Sequence, residues 1–511
     1  MKFLRLLPIA LAFAATPLAA TTVVGTGTPA SCTEAALNAA ITEANATFGL
    51  VTFNCGAAPL TLVVTTEKPL ALGVVIDGGN KITLSGGNTT RIFSLYQGAA
   101  VEIRNIVLTR GLASEGGGCV LAISSTEANA TLVIDHVTFK ECRATVYGGA
   151  LAGFRADFTI SNSLFIDNQA ISNGGGAISL NSGSLGLSHT TFETNTAGLQ
   201  GGALQSWYSA VTVDTSVFYA NRAGSVAGVE SGGGGVLLRA GTATFRNSDF
   251  SFNVSETRGG GFFLFDGADA DLEDLRISLN AAVTGAGLLV DPTSVARVKR
   301  SSFVENQASD DGGALFSSGA LHVAASTLYY NLADDGPGIF TDGGLLDLVS
   351  STLVDNQGWA SPPATGQLAW LPGPSLNVHN TLFQSTGTTF VPACDGMGGS
   401  FTFSMWQGIS CNAAGLGNSP LTTVPLRPYG LSCGSSATEL TRSFALPPGS
   451  PALDAGSCRI SDPSFDQRGN PRPQGVSCDI GATEFFAPCD APFFANGFEQ
   501  GTTAAWSVTV P

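Results

Sequence analysis

The stretch Phe165-Ile166-Asp167-Asn168, followed after a short spacer by Gly174-Gly175-Gly176-Ala177-Ile178, decides the fold, because both phrases return along the chain. The interval is about 26 residues. The first phrase and its weaker copies place asparagines at Asn168, Asn195, Asn221, Asn253, Asn280, Asn306, Asn331 and Asn356. The glycine phrase returns as Gly148-Gly149, Gly201-Gly202, Gly259-Gly260 and Gly312-Gly313. Such a period indicates a repeat protein, in which each unit buries its apolar face against the next.

The residues between the two phrases indicate strands. Runs such as Phe158–Ser161 and Val211–Asp214 alternate apolar and polar residues with period two and are too short for helices. Stacking these units in parallel would point each Phe inward and bring the asparagines above one another, where their side-chain amides could form a ladder. We expect each asparagine to occupy the left-handed backbone of a corner, and the glycine pairs to let neighbouring coils approach closely. The predicted fold is all-β, a right-handed parallel β-helix.

The alternation of Gly-Gly-Ala-Ile/Leu with Phe-x-x-Asn resembles the repeat of polymorphic outer-membrane proteins and of many bacterial surface or secreted right-handed β-helix proteins. The resemblance covers residues 101–384, which we take as the β-helix repeats. It implies a protein that is extracellular, or that is displayed at a bacterial cell surface in association with the outer membrane.

The N-terminal residues indicate export and a cap. Residues 1–20 combine Lys2 and Arg5 with a short apolar run and small residues at a plausible cleavage site, which is typical of a secretory signal peptide. We assign residues 21–100 to an N-terminal cap and the first coils. Within them, Ser31-Cys32-Thr33-Glu34 fits a capping box, and apolar residues follow at helical spacing. A short helix is therefore predicted to cover the open end of the first coil.

Ten cysteines in an exported chain favour disulfides over thiol chemistry. Most of them stand towards the two ends, and the C-terminal region is therefore predicted to be rich in disulfides. Spacing alone leaves the connectivity open, but Cys32 with Cys55 and Cys458 with Cys478 are the preferred pairs. Residues 385–439 form an irregular cysteine-containing stretch in which the repeats fade.

Residues 440–486 carry a second resemblance. The run Pro448-Gly449-Ser450-Pro451-Ala452-Leu453-Asp454, continued by Asp466-Gln467-Arg468-Gly469 and Cys478-Asp479-Ile480-Gly481, resembles the choice-of-anchor Q domain. That domain occurs at the C-terminal end of bacterial β-helix surface proteins, ahead of assorted anchoring signals. The final residues 487–511 form a tail in which we recognise no sorting motif or hydrophobic anchor, so the mode of anchoring stays open.

Charge and hydropathy limit the classes of partner. The formal net charge is -16, and 23 Lys and Arg residues are scattered along the chain. Nucleic acid is therefore not an expected partner, since phosphate binding needs clustered basic residues. After the signal peptide no apolar run reaches the length of a membrane span, so we expect no transmembrane segment in the mature chain.

Few residues suggest chemistry. Parallel β-helices include pectate lyases and polygalacturonases, which need clustered carboxylates for acid/base work or for Ca²⁺. The acids to consider are Asp310, Asp311, Asp334 and Asp335, which we interpret first as solvated turn residues and second as a catalytic or Ca²⁺ site. Arg297-Val298-Lys299 resembles a polygalacturonase phrase, but the companion phrases are missing. We expect no cofactor, with Ca²⁺ as the alternative.

The sequence thus predicts an exported, non-enzymatic β-helix protein that acts by adhesion or by contact with glycans. Its expected partners are an extracellular glycan or the surface of a host or neighbouring cell. The alternative is a polysaccharide lyase or glycoside hydrolase built on the same scaffold, as the enzymes of this fold are. Acids and a basic residue converging on one face of consecutive coils would favour that alternative.

Overall fold

The computed structural model describes residues 20–125, 128–359, 366–371, 373, 375–385, 392–395, 399–407, 411, 417–421, 424–430 and 441–485. These residues form a parallel β-solenoid of about 14 turns with one α-helix near the N-terminus. The all-β prediction is therefore confirmed. The predicted signal peptide, apart from Ala20, lies outside the described residues, as do residues 487–511, Cys433 and Cys489.

One coil shows the plan of the others. Leu151–Phe154 forms face 1 and Ala156–Ser161 forms face 2, the two arms of a single bent strand. Leu164–Ile166 forms face 3, and the two-residue strand Gln169–Ala170 forms face 4. Every pairing between coils is parallel and joins equivalent faces, and face 4 is a separate sheet of ten short strands.

The strand bounds follow this plan. Strands that span faces 1 and 2 are Leu151–Ser161, Ile178–Ser188, Leu204–Asp214, Val236–Arg246 and Phe262–Glu273. Strands that span faces 2 and 3 are Val75–Ser85, Ala100–Thr109 and Ala130–Lys140. Face 1 alone has Lys68–Leu70, Phe93–Tyr96, Val120–Ile123, Leu288–Val290, Leu315–Ser317, Ile339–Thr341, Leu368–Trp370 and Cys394–Asp395. Face 2 alone has Thr21–Val24, Leu50–Phe53, Val295–Lys299, Ala320–Ala324, Leu345–Val349, Ser375–His379 and Ser400–Thr402.

The other two faces consist of shorter strands. Face 3 has Leu60–Val63, Leu164–Ile166, Thr191–Glu193, Val217–Tyr219, Asp249–Ser251, Arg276–Ser278, Ser302–Val304, Thr327–Tyr329, Thr352–Val354, Leu382–Gln384, Met405–Gln407 and Ser419–Leu421. Face 4 has Leu112–Ala113, Arg143–Ala144, Gln169–Ala170, Thr196–Ala197, Arg222–Ala223, Val254–Ser255, Ala281–Ala282, Gln307–Ala308, Leu332–Ala333 and Gln357–Gly358.

The Phe of the repeat phrase forms the middle of the core. Phe139, Phe165, Phe192, Phe218 and Phe250 stack in one column, with successive ring centroids 4.6, 4.9, 4.6 and 4.5 Å apart. This interval is the spacing of hydrogen-bonded strands, so each ring packs on the equivalent ring of the next coil. The column fixes the register of the coils.

The asparagines of the phrase form a continuous ladder inside the wall between faces 3 and 4. Asn195, which is fully buried, accepts hydrogen bonds at Oδ1 from the backbone N and the Nδ2 of Asn168, at 3.1 and 2.9 Å. Its own Nδ2 donates to the carbonyl of Phe165 and to Oδ1 of Asn221, both at 2.9 Å. The pattern repeats through Asn356, which donates to Oε1 of Gln367 where the asparagines end. Each amide thus satisfies backbone groups that the corner leaves unpaired.

The backbone of this corner corrects one expectation. The left-handed conformation belongs to the residue before each asparagine, for example Thr194 with φ of 54° and Ala220 with φ of 54°, and not to the asparagine. The asparagine side chain must point into the wall to reach its neighbours, so the turn is made one residue earlier. The glycine phrase behaves as expected, since a Cβ on Gly176 would lie 2.0 Å from the carbonyl oxygen of Gly202.

The N-terminal helix spans Glu34–Thr47 and buries Leu37, Ala40, Ile41 and Ala44 against the first coils. Its N-cap is Thr33, whose side chain accepts a hydrogen bond from Ala36 N, so the capping box predicted from Ser31 is wrong by two residues. Ser31 lies in the preceding 3₁₀ turn, Pro29–Ser31. Glu34 is therefore free to reach across to Lys68 Nζ at 2.5 Å.

Residues 441–485 lie along the outside of face 3 over the last coils. Ala482 N donates to Thr352 Oγ1 at 2.8 Å, and Gln467 Nε2 donates to the carbonyl of Ser301 at 3.2 Å. Outward positions on these coils, such as Ser302 and Leu382, are therefore fully buried. The segment is closed by buried hydrogen bonds, among them those from Arg468 N and Glu484 N to Asp466. We call this segment the C-terminal strap.

Four disulfides are formed among the described cysteines. They join Cys32 to Cys55, Cys119 to Cys142, Cys394 to Cys411 and Cys458 to Cys478. The first and last of these are the two pairs that the sequence favours. The Cys458–Cys478 bond lies within the strap, and the Cys32–Cys55 bond ties the helix cap to the first coils.

In the described part of the chain no helix is both long and apolar enough to cross a bilayer.

Candidate functional site

The four acids singled out from the sequence lie together in the loops that lead from face 4 to face 1. Asp311 and Asp335 form a parallel β-bridge on successive coils, and the backbone N of Asp334 donates to the carbonyl of Asp310 at 2.7 Å. Asp310 and Asp334 are exposed, whereas Asp311 and Asp335 are half-buried. The solvated-turn interpretation therefore fits the first two acids better than the last two.

Crowding changes the acidity of this cluster. Burial, followed by the charges of Asp310, Asp335 and Asp342, raises the pKa of Asp311 to about 6. Burial and the charge of Asp395 also raise the pKa of Asp335. Among the described residues, no group of three or more His, Cys, Asp or Glu side chains converges in a way that could hold a metal ion. The cluster is thus a negatively charged region whose described carboxylates do not converge on one point where Ca²⁺ could bind.

Asp311 also borders the outward surface of face 1, which holds two separate cavities and which we describe as one groove. The floor of the groove is the first outward position of each face 1 strand, with Ala152, Ser179, Gln205, Leu237 and Phe263 on successive coils. One wall is the row of loops before the glycine phrase, which includes Tyr147, Gln200 and Arg258. The other rim is the second outward position of each strand. We call this feature the face 1 groove.

The rim residues share an unusual composition. In register on successive coils they are Tyr96, Ile123, Phe154, Asn181, Trp207, Arg239 and Phe265. Tyr96 and Phe154 are each 46% exposed, and Trp207 and Phe265 are half-buried. Trp207 and Phe265 pack against the apolar floor residues Leu237 and Phe263, whereas Tyr96 and Phe154 expose nearly half of their surface. The core of the coils is filled by the inward residues, so this row is a candidate binding surface.

The N-terminal half of the groove is mainly aromatic and carries one carboxylate, Glu115. A cavity of about 200 Å³ is lined by Phe154, Tyr147 and Trp207 together with the amides of Asn181 and Gln205. Tyr147 meets Trp207 edge-to-face at 6.1 Å between ring centroids. Gln205 is buried and oriented, because its Oε1 accepts from Ser179 Oγ and its Nε2 donates to Gln200 Oε1, both at 2.9 Å. Rings with a few fixed amides are typical of a site for a polar ligand with apolar faces.

The C-terminal half of the groove is acidic. A cavity of about 440 Å³ is lined by Phe265, Phe316 and Leu289, with Asp291, Asp311, Asp342, Glu230 and Arg258 around them. Arg258 is paired with Glu230 at 2.8 Å. Arg239, at the boundary of the two halves, lies 5.4 and 5.5 Å from the ring centroids of Trp207 and Phe265 and is paired with Asp266. The cations of the groove are therefore neutralised, and its net charge is negative.

The basic phrase considered from the sequence and two of the histidines lie elsewhere. Arg297 and Lys299 lie on face 2, where they line a separate groove of about 500 Å³ against the strap. Arg297 is paired there with Asp269 and Asp271. His136 and His189 occupy the left-handed corner between faces 2 and 3, with φ of 53° and 49°. None of these four residues points into the face 1 groove.

Sequence reasoning did not single out the rim row. Its residues change type from coil to coil, so a repeat consensus hides them. The available signal was position, since the second and fourth residues of each face 1 strand point outward in every coil. Reading those positions alone would have placed Tyr96, Phe154, Trp207 and Phe265 on one line.

Comparison with known proteins agrees with this geometry. A search of curated proteins finds no match to this chain. Residues 122–331 match the family model described as right handed beta helix region, in agreement with the parallel β-solenoid seen here.

Proposed function

We propose that this protein is an exported, non-enzymatic scaffold that holds a glycan chain in the face 1 groove. The observation that carries the proposal is the rim row of exposed aromatic side chains beside oriented amides, on a rigid stack of coils. Sugar rings have apolar faces and a periphery of hydroxyl groups. Aromatic rings pack against the former, and a half-exposed amide such as that of Asn181 can bond the latter.

The disulfides support the exported location. Four disulfides are formed among the described cysteines, two of them tying the cap and the strap. Such bonds persist in oxidising environments outside the cytoplasm. Together with the signal peptide predicted for residues 1–20, they favour an extracellular protein or one displayed at a bacterial surface. The resemblance of residues 440–486 to a module of surface proteins favours display, through an anchor that the sequence does not identify.

A second candidate function is glycan cleavage, because one observation favours it. Asp311 has a pKa raised to about 6 and borders the same groove as Phe316, so it could hold a proton near neutral pH. A lyase would also need a cation to hold the carboxylates of its substrate, and Arg258 is already paired with Glu230. Binding without cleavage is therefore the function that the groove supports best.

Affinity electrophoresis of the secreted protein in gels that contain neutral plant or bacterial glycans would test the proposal. We expect retardation by at least one glycan, and we expect Trp207→Ala to abolish it. Tyr219→Ala is the matched control, since Tyr219 is an exposed aromatic residue on face 3. Equal retardation of the Trp207 and Tyr219 variants would contradict binding in the groove.

Cleavage is tested separately. The purified protein is incubated with the same glycans and with pectate and alginate, in the presence of Ca²⁺, and the release of reducing or unsaturated ends is followed. We expect no release. Release of such ends that disappears in an Asp311→Asn variant, without any fall in its melting temperature, would replace the binding scaffold by an enzyme.

A further inference from the structure

The rim row has a period of its own, which is twice that of the coils. Its aromatic residues stand on every second coil, at Tyr96, Phe154, Trp207 and Phe265. The coils between them contribute Ile123, Asn181 and Arg239. The alternation holds over seven consecutive coils, so it extends beyond either cavity.

The distance between successive rim aromatics follows from the fold. The interior Phe rings are 4.5 to 4.9 Å apart from coil to coil. Two coils therefore rise about 9.6 Å, since neighbouring strands of a sheet lie about 4.8 Å apart. The coils are hydrogen-bonded along their length, so this spacing is rigid.

We infer that the groove binds a neutral, extended β-1,4-linked glycan that lies parallel to the solenoid axis, with each disaccharide repeat placed on two coils. In such a chain every sugar ring is turned over relative to its neighbours, so the same face and edge return at every second sugar. The length of this repeat matches the rise of two coils. Each rim aromatic would then meet an equivalent part of every second sugar. This inference rests on the proposed glycan-binding function.

Charge selects among the glycans that have this shape. The groove contains Glu115, Glu230, Asp291, Asp311 and Asp342. Its arginines, Arg239 and Arg258, are paired with carboxylates. A polyuronate would bring further negative charge beside these acids, and the two arginines described here are both already paired, so its binding would cost energy in a partly desolvated site. The charge therefore favours a neutral chain.

The spacing of the rim aromatics restricts the linkage and the length of the glycan that can contact all of them. A β-1,3-linked chain of the same sugar coils and loses the two-sugar repeat, so its rings cannot meet the rim aromatics in series. The four aromatics span six coil intervals, or about 29 Å. Affinity for a β-1,4-linked chain should rise with chain length until the chain reaches that span.

Isothermal titration with cellohexaose, chitohexaose and laminarihexaose tests the inference. The first two probes are β-1,4-linked and the third is β-1,3-linked. We expect at least one β-1,4-linked probe to bind about tenfold more tightly than laminarihexaose, and Phe154→Ala to lower its affinity by about tenfold, a loss typical of a ring that loses an aromatic stacking partner. Tyr219→Ala, on face 3, should leave the affinity unchanged.

A double variant tests the period itself. Phe154→Ala with Asn181→Trp keeps the number of rim aromatics but moves one of them to an intervening coil. We expect no recovery of the affinity that Phe154→Ala loses. Recovery, or equal binding of laminarihexaose, would overturn the two-coil period while leaving glycan binding intact. If no hexasaccharide and no polymer of either linkage binds, the proposed function fails together with the inference.

Discussion

The asparagine ladder should be a main source of stability, and Asn195→Ala tests this directly. Asn195 accepts from the backbone N of Asn168 at 3.1 Å and donates to the carbonyl of Phe165 at 2.9 Å. The variant leaves that buried N–H without its partner and opens a small cavity. Stranding a buried donor costs about 1 to 3 kcal/mol, and the cavity adds to it, so we expect a loss of about 3 kcal/mol in the free energy of unfolding.

The neighbouring groups limit this loss. Asn221 Oδ1 still accepts from the backbone N of Asn195 at 3.0 Å, and Asn168 Nδ2 still donates to the carbonyl of Phe139 at 3.0 Å. The ladder is therefore interrupted at one rung and not dismantled. Asn195→Asp should cost more than Asn195→Ala, because a buried carboxylate removes the donor and adds a charge.

Urea unfolding followed by circular dichroism measures the effect. Asn181→Ala is the matched control, since Asn181 is half-exposed on face 1 of the same coil region and its side chain accepts only from Ser182 among the described contacts. We expect the control to change stability by less than about 0.5 kcal/mol. Losses that are equal for Asn195→Ala and Asn181→Ala would refute the reasoning that the ladder satisfies otherwise unpaired backbone groups.

Three further predictions concern the cap, the acidic cluster and the strap. Burial raises the pKa of Glu34, but hydrogen bonds from Lys68 and from Thr65 outweigh this effect and bring the pKa to about 2. The ionised Glu34 therefore stabilises the fold above pH 4.5, and this stabilisation is lost as the pH falls towards 2. Thermal unfolding should therefore show that Glu34→Gln destabilises the protein at pH 7 and not at pH 2. The pKa of Asp311 is instead raised to about 6, so ionisation of Asp311 lowers the free energy of unfolding as the pH rises from about 4 to 6. Asp311→Asn should therefore raise the melting temperature at pH 7 but not at pH 3. Gln467→Ala removes the hydrogen bond from the strap to the carbonyl of Ser301. Limited proteolysis should therefore cut residues 441–485 faster while the coils stay intact. An unchanged rate of cleavage would contradict the docking of the strap on face 3.

The periodic features of the fold were predictable because each of them is local and repeated. The Phe column, the glycine phrase and the asparagine ladder are each read from a few neighbouring residues that return in every coil. The left-handed corner was placed one residue too late, at Asn195 and not at Thr194, because the sequence shows which side chain is conserved in the repeat pattern but not which way it must point. Thr33 was missed as the helix cap for a similar reason, since two polar residues compete within one turn.

The site and the strap were less predictable. The rim aromatics lie at outward positions, where the repeat imposes no residue type. Phe154 and Trp207 therefore belong to no recognisable sequence pattern until the register of the coils is known. The strap depends on contacts between distant residues, such as Ala482 with Thr352, which are 130 positions apart. Such contacts follow no period, and the strap explains why the outward residue Ser302 on face 3 is buried in spite of the pattern.

Hydroxyl-radical footprinting with mass spectrometry tests most directly whether the face 1 groove holds a glycan. Oxidation of exposed aromatic side chains is compared in the presence and absence of a bound β-1,4-linked hexasaccharide. Protection is expected at Phe154, Trp207 and Phe265, with unchanged oxidation at the exposed Tyr219 on face 3 and Phe252 at the corner that follows it. Equal oxidation of the groove residues with and without a ligand known to bind, or protection confined to Tyr219 and Phe252, would contradict binding in the groove.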